Sequence, residues 1–386
     1  MIDFPSQVVS DVEKISFEYG LKVAKAIERE WFDTDNYSNR YISNKNNFRN
    51  LRLYARGEQS IQKYKDELSI NGDLSYLNLD WKPVPIIPKF VDIVVNGISN
   101  RTYDIKAYSQ DPFGVSKRTE YMDTIMQDMR QKELKNFIKE KFGMDLFSGP
   151  QELLPDSQDE LDLHMQLNYK QAVEIAEEQA LSTLLEGSKY ELTKKRFYYD
   201  LTVLGIGAVK TSFNTSEGVV VEYVDPEKLV YSYTESPYFE DVYYVGEVKT
   251  IPVNELVKQF PHLTPEDLNE VISKSNVNRY SSRHKGDDDG NKVDVLYFNY
   301  KTYMNEVYKT KQTATGADKT IEKDDLFNPS ENENFSKQSR SIECLYEGAL
   351  ILSTDKLIKW EMSKNMMRPK SDFTKVKMNY SICAPR

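Results

Sequence analysis

The sequence predicts an α+β protein, a helix-rich first part that carries an antiparallel sheet, followed by a smaller β-rich part. Three observations predict it. Apolar residues recur every three or four positions through most of the chain up to Val203. Past Gly205 and Gly207 the apolar period changes to two. Beyond residue 290, strand-like runs flank a long polar stretch.

Val8, Val12, Ile15, Tyr19, Val23 and Ile27 form one face of a first helix that ends near Trp31. A polar-rich second helix covers residues 45–67, with Leu51, Tyr54, Ile61 and Tyr64 on its face, before Asn71-Gly72-Asp73 breaks the chain. Pro83, Pro85 and Pro88 keep residues 83–88 extended, and Pro88 suits the first turn of a helix. Phe90, Val91, Val94 and Val95 give that helix an apolar face, with Gly97 as its stop. Residues 103–108 alternate as a strand. Helices follow at 116–142 and 159–187, joined by a loop at 143–158, then a helix at 189–203 runs into the glycine turn. Leu161, Met165, Val173, Ala176, Ala180 and Leu184 give the second of these a buried face. Residues 206–213, 218–225 and 242–250 read as strands of an antiparallel sheet, the first two joined by a hairpin at Ser216-Glu217-Gly218. Short helices at 252–260 and 264–275 are punctuated by Pro261 and Pro265, and the polar residues 276–291 mark a boundary. Two strand-like runs occupy 293–309 and a further pair surrounds Glu347-Gly348. Residues 311–340 form a polar connection of a length that is usually functional or disordered.

The chain has 386 residues, with 51 Lys+Arg against 61 Asp+Glu, so its net charge is 51 − 61 = −10. That balance argues against a protein that works by gripping a phosphate backbone. Two cysteines, Cys344 and Cys383, exclude a disulfide scaffold and a four-cysteine zinc site. The three histidines lie far apart, so none pairs at helical spacing. The N-terminus lacks the basic and apolar regions of a secretory signal, and no apolar run approaches the roughly 18–20 residues that span a bilayer. A soluble protein, or part of a soluble assembly, is expected.

Few constellations point to chemistry. Gly205-Ile206-Gly207 lacks the third glycine of a dinucleotide loop, since position 210 is Lys210, and it follows a helix rather than a strand. No glycine is followed by lysine, which excludes a Walker A loop. Asp287-Asp288-Asp289-Gly290 resembles part of a calcium loop, but Lys285 and Leu296 stand where carboxylate ligands belong. Glu177 and Glu178 read as a solvated helix face. No nucleophile and base fall into a triad pattern, so no enzyme, cofactor or metal is expected. The 26 tyrosines keep a hydroxyl on a large apolar body, a type enriched at interfaces.

Several segments together resemble portal proteins of tailed bacterial viruses, in particular those of crAss-like viruses. Leu53-Tyr54-Ala55-Arg56-Gly57-Glu58-Gln59 is similar to a portal wing helix with a Tyr-x-x-Gly-x-Gln element. Residues 85–101 resemble the family's proline, apolar helix, Asn-Gly and following strand at Ile105-Lys106-Ala107. Tyr199-Asp200-Leu201-Thr202-Val203-Leu204-Gly205-Ile206-Gly207-Ala208-Val209-Lys210, then Val219-Val220-Val221-Glu222-Tyr223-Val224-Asp225-Pro226-Glu227, are similar to its long helix, glycine turn and hairpin ending in Asp-Pro. The helix before Pro261 also fits. The specificity lies in the order and spacing of these pieces across residues 50–265.

The resemblance implies a wing at 1–265, a connecting, stem-like segment at 266–290 and a clip-like β domain at 291–386, with the second stem helix and crown of portals expected to be absent. It implies a structural protein of the virion, at the capsid portal vertex and in the host cytoplasm during assembly. About twelve copies would form a ring through which double-stranded DNA is packaged and ejected without sequence-specific binding. Its partners would be itself, the major capsid protein, the terminase large subunit, and then head-tail connector and tail proteins. The polar connection 311–340 is the candidate docking surface, with Asp324, Asp325, Phe327 and Arg340 as its site residues, the aromatic and the arginine being the anchors. Alternatives are another head-tail adaptor or head structural protein, or a metal-dependent nuclease built on Asp287, Asp288 and Asp289.

Overall fold

The computed structural model describes the chain except residues 1–3, 33–39, 70–79, 82–83, 102, 104, 109–110, 145–153, 168, 215–217, 276–291, 313–316, 325–326, 329–334, 353, 355, 370 and 386. The turns expected at Asn71-Gly72-Asp73 and Ser216-Glu217, and the acidic loop Asp287 to Gly290, lie outside the described residues. The chain is α+β, and it divides into two compact units, one of residues 1–100 with 191–386 and one of residues 101–190.

In the first unit the helices are α1 (Asp11–Ile15), α2 (Phe17–Phe32), α3 (Arg40–Arg56), α4 (Gln62–Leu68) and α5 (Ile87–Ser99). The second holds α6 (Pro112–Arg130), α7 (Lys132–Phe142), α8 (Gln158–Leu167) and α9 (Ala172–Gly187). α10 (Tyr190–Leu204) leads back to strands β1 (Gly207–Asn214), β2 (Gly218–Val224), β3 (Leu229–Tyr231) and β4 (Tyr244–Pro252). Helices α11 (Val253–Gln259) and α12 (Pro265–Ser275) precede β5 (Lys292–Gln312), β6 (Asp318–Lys323), β7 (Phe335–Ile351), β8 (Leu357–Met362) and β9 (Tyr380–Cys383).

Six strands form one antiparallel sheet in the order β3-β4-β5-β7-β8, with β6 joining β5 further along. β2, β1 and β9 form a second sheet. β4 therefore pairs with β5 and not with β1 and β2, as the sequence suggested. The same pairing ties residues before 265 to residues after 291, so the compact units are cut at 100 and 190 instead of at the expected boundary. Each expected pair of runs in the last part is a single strand. Gly348 does not turn the chain. It lies in β7 opposite Phe298, whose ring fills the space a Cβ would take.

Helix α2 packs Val23, Ile27, Trp31 and Phe32 on one face of the large sheet, against Leu296, Phe298, Tyr300, Tyr346 and Trp360. Gly20 permits this approach, because a Cβ there would sit 2.4 Å from the Trp360 ring. Trp360 stacks on Tyr346 at 4.9 Å. The opposite face packs α11 and α12 through Leu256 and Val271. Beside them, Ile206, Ala208, Val245, Tyr380 and Ile382 join the two sheets in a further apolar cluster.

The first expected helix is two. Ser10 caps α1, and Ser16, in an extended conformation, ends it before α2 restarts at Phe17. The break leaves Val8, Val12 and Ile15 exposed, while Tyr19, Val23 and Ile27 stay buried. What α1 buries is Lys14, fully covered, whose Nζ donates to the Tyr303 carbonyl. Asp11 accepts from the Asn305 amide at 3.1 Å. These two side chains occupy the edge of β5 between β4 and β6, satisfying backbone groups that neither of those strands reaches. The 45–67 helix is likewise divided at Gly57, with φ 73° and a Cβ position 2.9 Å from Pro85. Helix α5 continues through Gly97 to Ser99, and residues 103 and 105–108 form no strand. The helix expected at 116–142 breaks at Gln131, and the one at 159–187 before Ala172, where Gln171 and Glu174 make a capping box. In this second unit Ile125, Leu161 and Met165 make a small core.

Arg52 of α3 holds distant segments together. Its guanidinium lies 2.9 Å from Asp200 on α10, 2.7 Å from Asp225 after β2, and 3.3 Å from Glu227. Tyr223 donates its hydroxyl to Asp200 as well. Burial pushes the Asp200 carboxyl up more than Tyr223 and Arg52 pull it down. Burial likewise opposes the Arg52 charge, but the carboxylates hold its proton more tightly than usual.

Glu247 on β4 fastens the two sheets, accepting from Lys210 of β1 at 3.0 Å and from the Tyr380 hydroxyl of β9 at 3.3 Å. Burial pushes its carboxyl up, yet Lys210 and Lys249 pull harder and the group ends below its ordinary value of 4.5. With the folded value depressed, its stabilising contribution is present above pH 4.5 and is lost as pH falls through the folded value. Glu247→Gln should cost about 1.5–3 kcal/mol at pH 7 and shrink the loss of stability on acidification, read by urea titration across that range. An unchanged acid limb would show that Glu247 does not carry the linkage.

Candidate functional site: an exposed three-stranded arm

Past Tyr300, where the pairing with β4 stops, β5 runs on with β7 as a ribbon that β6 joins at Val307. Most of the described residues of the segment expected as a polar loop, 311–340, are thus in strands, with β6 entirely exposed. It reads as a loop in sequence because its strands bury almost nothing and so show little apolar alternation.

The register assigns every side chain of this arm to a face, because residues directly opposite across antiparallel strands point to the same side. On one face Arg340 lies opposite Glu306, with Tyr308, Thr310, Thr320 and Glu322 following. Arg340 donates from Nε and Nη2 to Glu306 Oε2, at 2.9 and 2.7 Å, and from Nη2 to the Tyr308 hydroxyl at 3.2 Å. Its guanidinium also lies 5.1 Å from the Phe373 ring centroid. The Tyr308 hydroxyl donates to the same Glu306 oxygen at 2.5 Å. Tyr308, then Arg340, hold the Glu306 carboxyl below its usual range, while Glu306 raises both partners. This is a pre-ordered group of an arginine, two aromatic rings and a carboxylate on an exposed sheet face.

The other face carries Lys309 and Lys311 of β5, Lys319 and Lys323 of β6 and Lys337 of β7, around Val307 and Ile321. Phe327 lies among them, its ring centroid 5.6 Å from Lys309 Nζ and 6.0 Å from Lys323 Nζ. A turn brings Phe327 back to Asp324, the amide donating to that carbonyl at 3.0 Å. Lys337 donates to Asn328 at 3.0 Å. Of the four expected site residues, Asp324 and Phe327 come together, Arg340 stands on the opposite face, and Asp325 lies outside the described residues. The sequence reading missed the five lysines and Glu306. The alternation Lys319, Ile321, Lys323 is the signal that could have found them.

A second exposed surface lies on α5. Ile86, Phe90, Ile93 and Val94 follow one helical face and are 58%, 61%, 59% and 45% exposed. The apolar face expected there is divided, since Val95 alone is buried. Among the described residues no group of three or more His, Cys, Asp or Glu side chains could hold a metal ion. Burial pushes the Cys344 thiol up to about 12, so it is not a thiolate at neutral pH.

Arg340→Ala should raise amide exchange at Tyr308 and Gln338 several-fold while leaving the thermal midpoint of the protein nearly unchanged. Exchange rates equal to the wild type would show that the Arg340 group does not order the arm.

No protein-family model matches the chain, and no curated protein matches it.

Proposed function

We propose that this chain is a structural subunit of a viral portal, forming a ring at one capsid vertex through which DNA moves and on which other proteins dock. The observation that carries the reading is the convergence of the segments that resemble portals. Arg52, one residue before Leu53-to-Gln59, ion-pairs with Asp200 and with Asp225 and Glu227, each within one of the other resembling segments. Gly57 abuts Pro85 at the start of the proline-helix segment. Pieces that lie far apart in sequence thus belong to one packed unit, as parts of a shared scaffold should.

Two surfaces suit the role. The exposed apolar face of α5 is the kind of patch that marks an interaction site. The arm presents Arg340, Tyr308 and Phe373 together, residue types that anchor protein interfaces. In this reading the arm receives the terminase during packaging and connector or tail proteins afterwards.

In capsids assembled with this protein, gold-labelled antibody against the arm strand Asp318–Lys323 should mark one vertex per particle. Label distributed over many vertices would point to another head structural protein, and label absent from purified particles would overturn the reading.

A further inference from the structure

We propose that helices α7 and α9 form a contact between two copies of this chain, α7 of one copy lying antiparallel on α9 of another. This goes beyond the portal reading, which names no contact between subunits, and stands without it. The observation is an apolar stripe left uncovered on each helix. On α7, Leu134, Phe137, Ile138 and Phe142 recur at helical spacing, and no residue of the helix is buried. On α9, Val173, Ala176, Ala180, Leu181 and Leu184 do the same. The face that the sequence expects to be buried there is not, since Glu174 is the helix's one buried residue. Leu134, Phe142 and Val173 are 60%, 65% and 57% exposed. A helix as short as α7, with 11 residues, depends on packing an amphipathic face.

Each stripe holds one charge, and the two are opposite. Lys141 lies in the α7 stripe, its Nζ 4.6 Å from the Phe137 ring centroid. Glu177 lies in the α9 stripe, between Val173 and Leu181 at helical spacing. Both side chains are exposed. Lys132, Lys135 and Glu178 already pair with Asp156, Asp128 and Lys170, so they do not decide the fit. α7 on α7, or α9 on α9, would cover Lys141 or Glu177 with no opposite charge in the facing stripe. α7 on α9 supplies it. Run antiparallel, the stripes match along their length. Leu134 meets Leu184, Phe137 meets Leu181, Ile138 meets Ala180, Lys141 meets Glu177 and Phe142 meets Ala176. Ile138 and Phe142 thus face alanines, which lets the helices approach. Both stripes are open in one chain, so the partner that fits is a second copy. A contact between two different surfaces is either reciprocated in a closed pair or passed on to a third copy in a ring or filament.

The test mixes full chains carrying Lys141→Cys with full chains carrying Glu177→Cys under mild oxidation and reads cross-linked dimers on a non-reducing gel. The wild type sets the background from Cys344 and Cys383. Disulfides in the mixture, and not in either variant alone, are expected, because only facing positions bring Cβ atoms to roughly 4 Å. No mixed dimer, or as much dimer from either variant alone, would overturn the proposal. Sedimentation gives an independent reading. Lys141→Glu should weaken self-association about tenfold or more, and adding Glu177→Lys to the same chain should restore most of it, with circular dichroism unchanged in each. A single variant that associates as tightly as the wild type, or a double variant as weak as the single one, would overturn the contact. Negative-stain images of the wild type separate the two readings. Closed pairs or open filaments, with the mixed cross-link present, uphold the contact and remove the portal. Closed rings without the mixed cross-link remove the contact alone.

Discussion

The unbroken antiparallel register between β5 and β7 is the constraint on which the rest of the structure depends. It runs from Val295 opposite Ile351 to Lys311 opposite Phe335 without a bulge. The first part of the ladder is core. It carries Leu296, Phe298 and Tyr300 under α2 on one side and Val295 under α11 and α12 on the other. The last part has neither β4 nor β8 beside it. A shift of one residue would exchange the two faces everywhere at once, burying charge and exposing the core. Packing at one end thus sets which side chains share a face at the other.

This explains how an exposed arm can be well defined without a core of its own. Gly348 admits the Phe298 ring and Gly246 admits the backbone at Tyr297, so the strands meet closely where they are buried. Lys14 and Asp11 then hold the β5 edge just before β6 begins. From there the period of two separates the Arg340 group from the lysines. Two faces of different composition therefore stand back to back on three strands.

Much of the scaffold was legible in the sequence, and the reasons for the rest are physical. Tyr19, Val23 and Ile27 announce α2 because helix and burial share a period. Val8, Val12 and Ile15 continue that period and yet lie exposed, because Ser16 turns the chain between two helices. Arg52 has no local signal at all, since its partners stand 148 to 175 residues away. Arg340 stood out as an interface type, but Glu306 becomes its partner only through the strand register. The lysines were hidden because a strand that buries nothing shows little apolar alternation.

Native mass spectrometry of the purified full-length protein, with negative-stain images of the same sample, tests the portal assignment most directly. The account predicts closed rings of about a dozen copies around a central hole, held by heterologous contacts that close on themselves. A monomer or an isologous dimer under conditions where the fold is intact would contradict it.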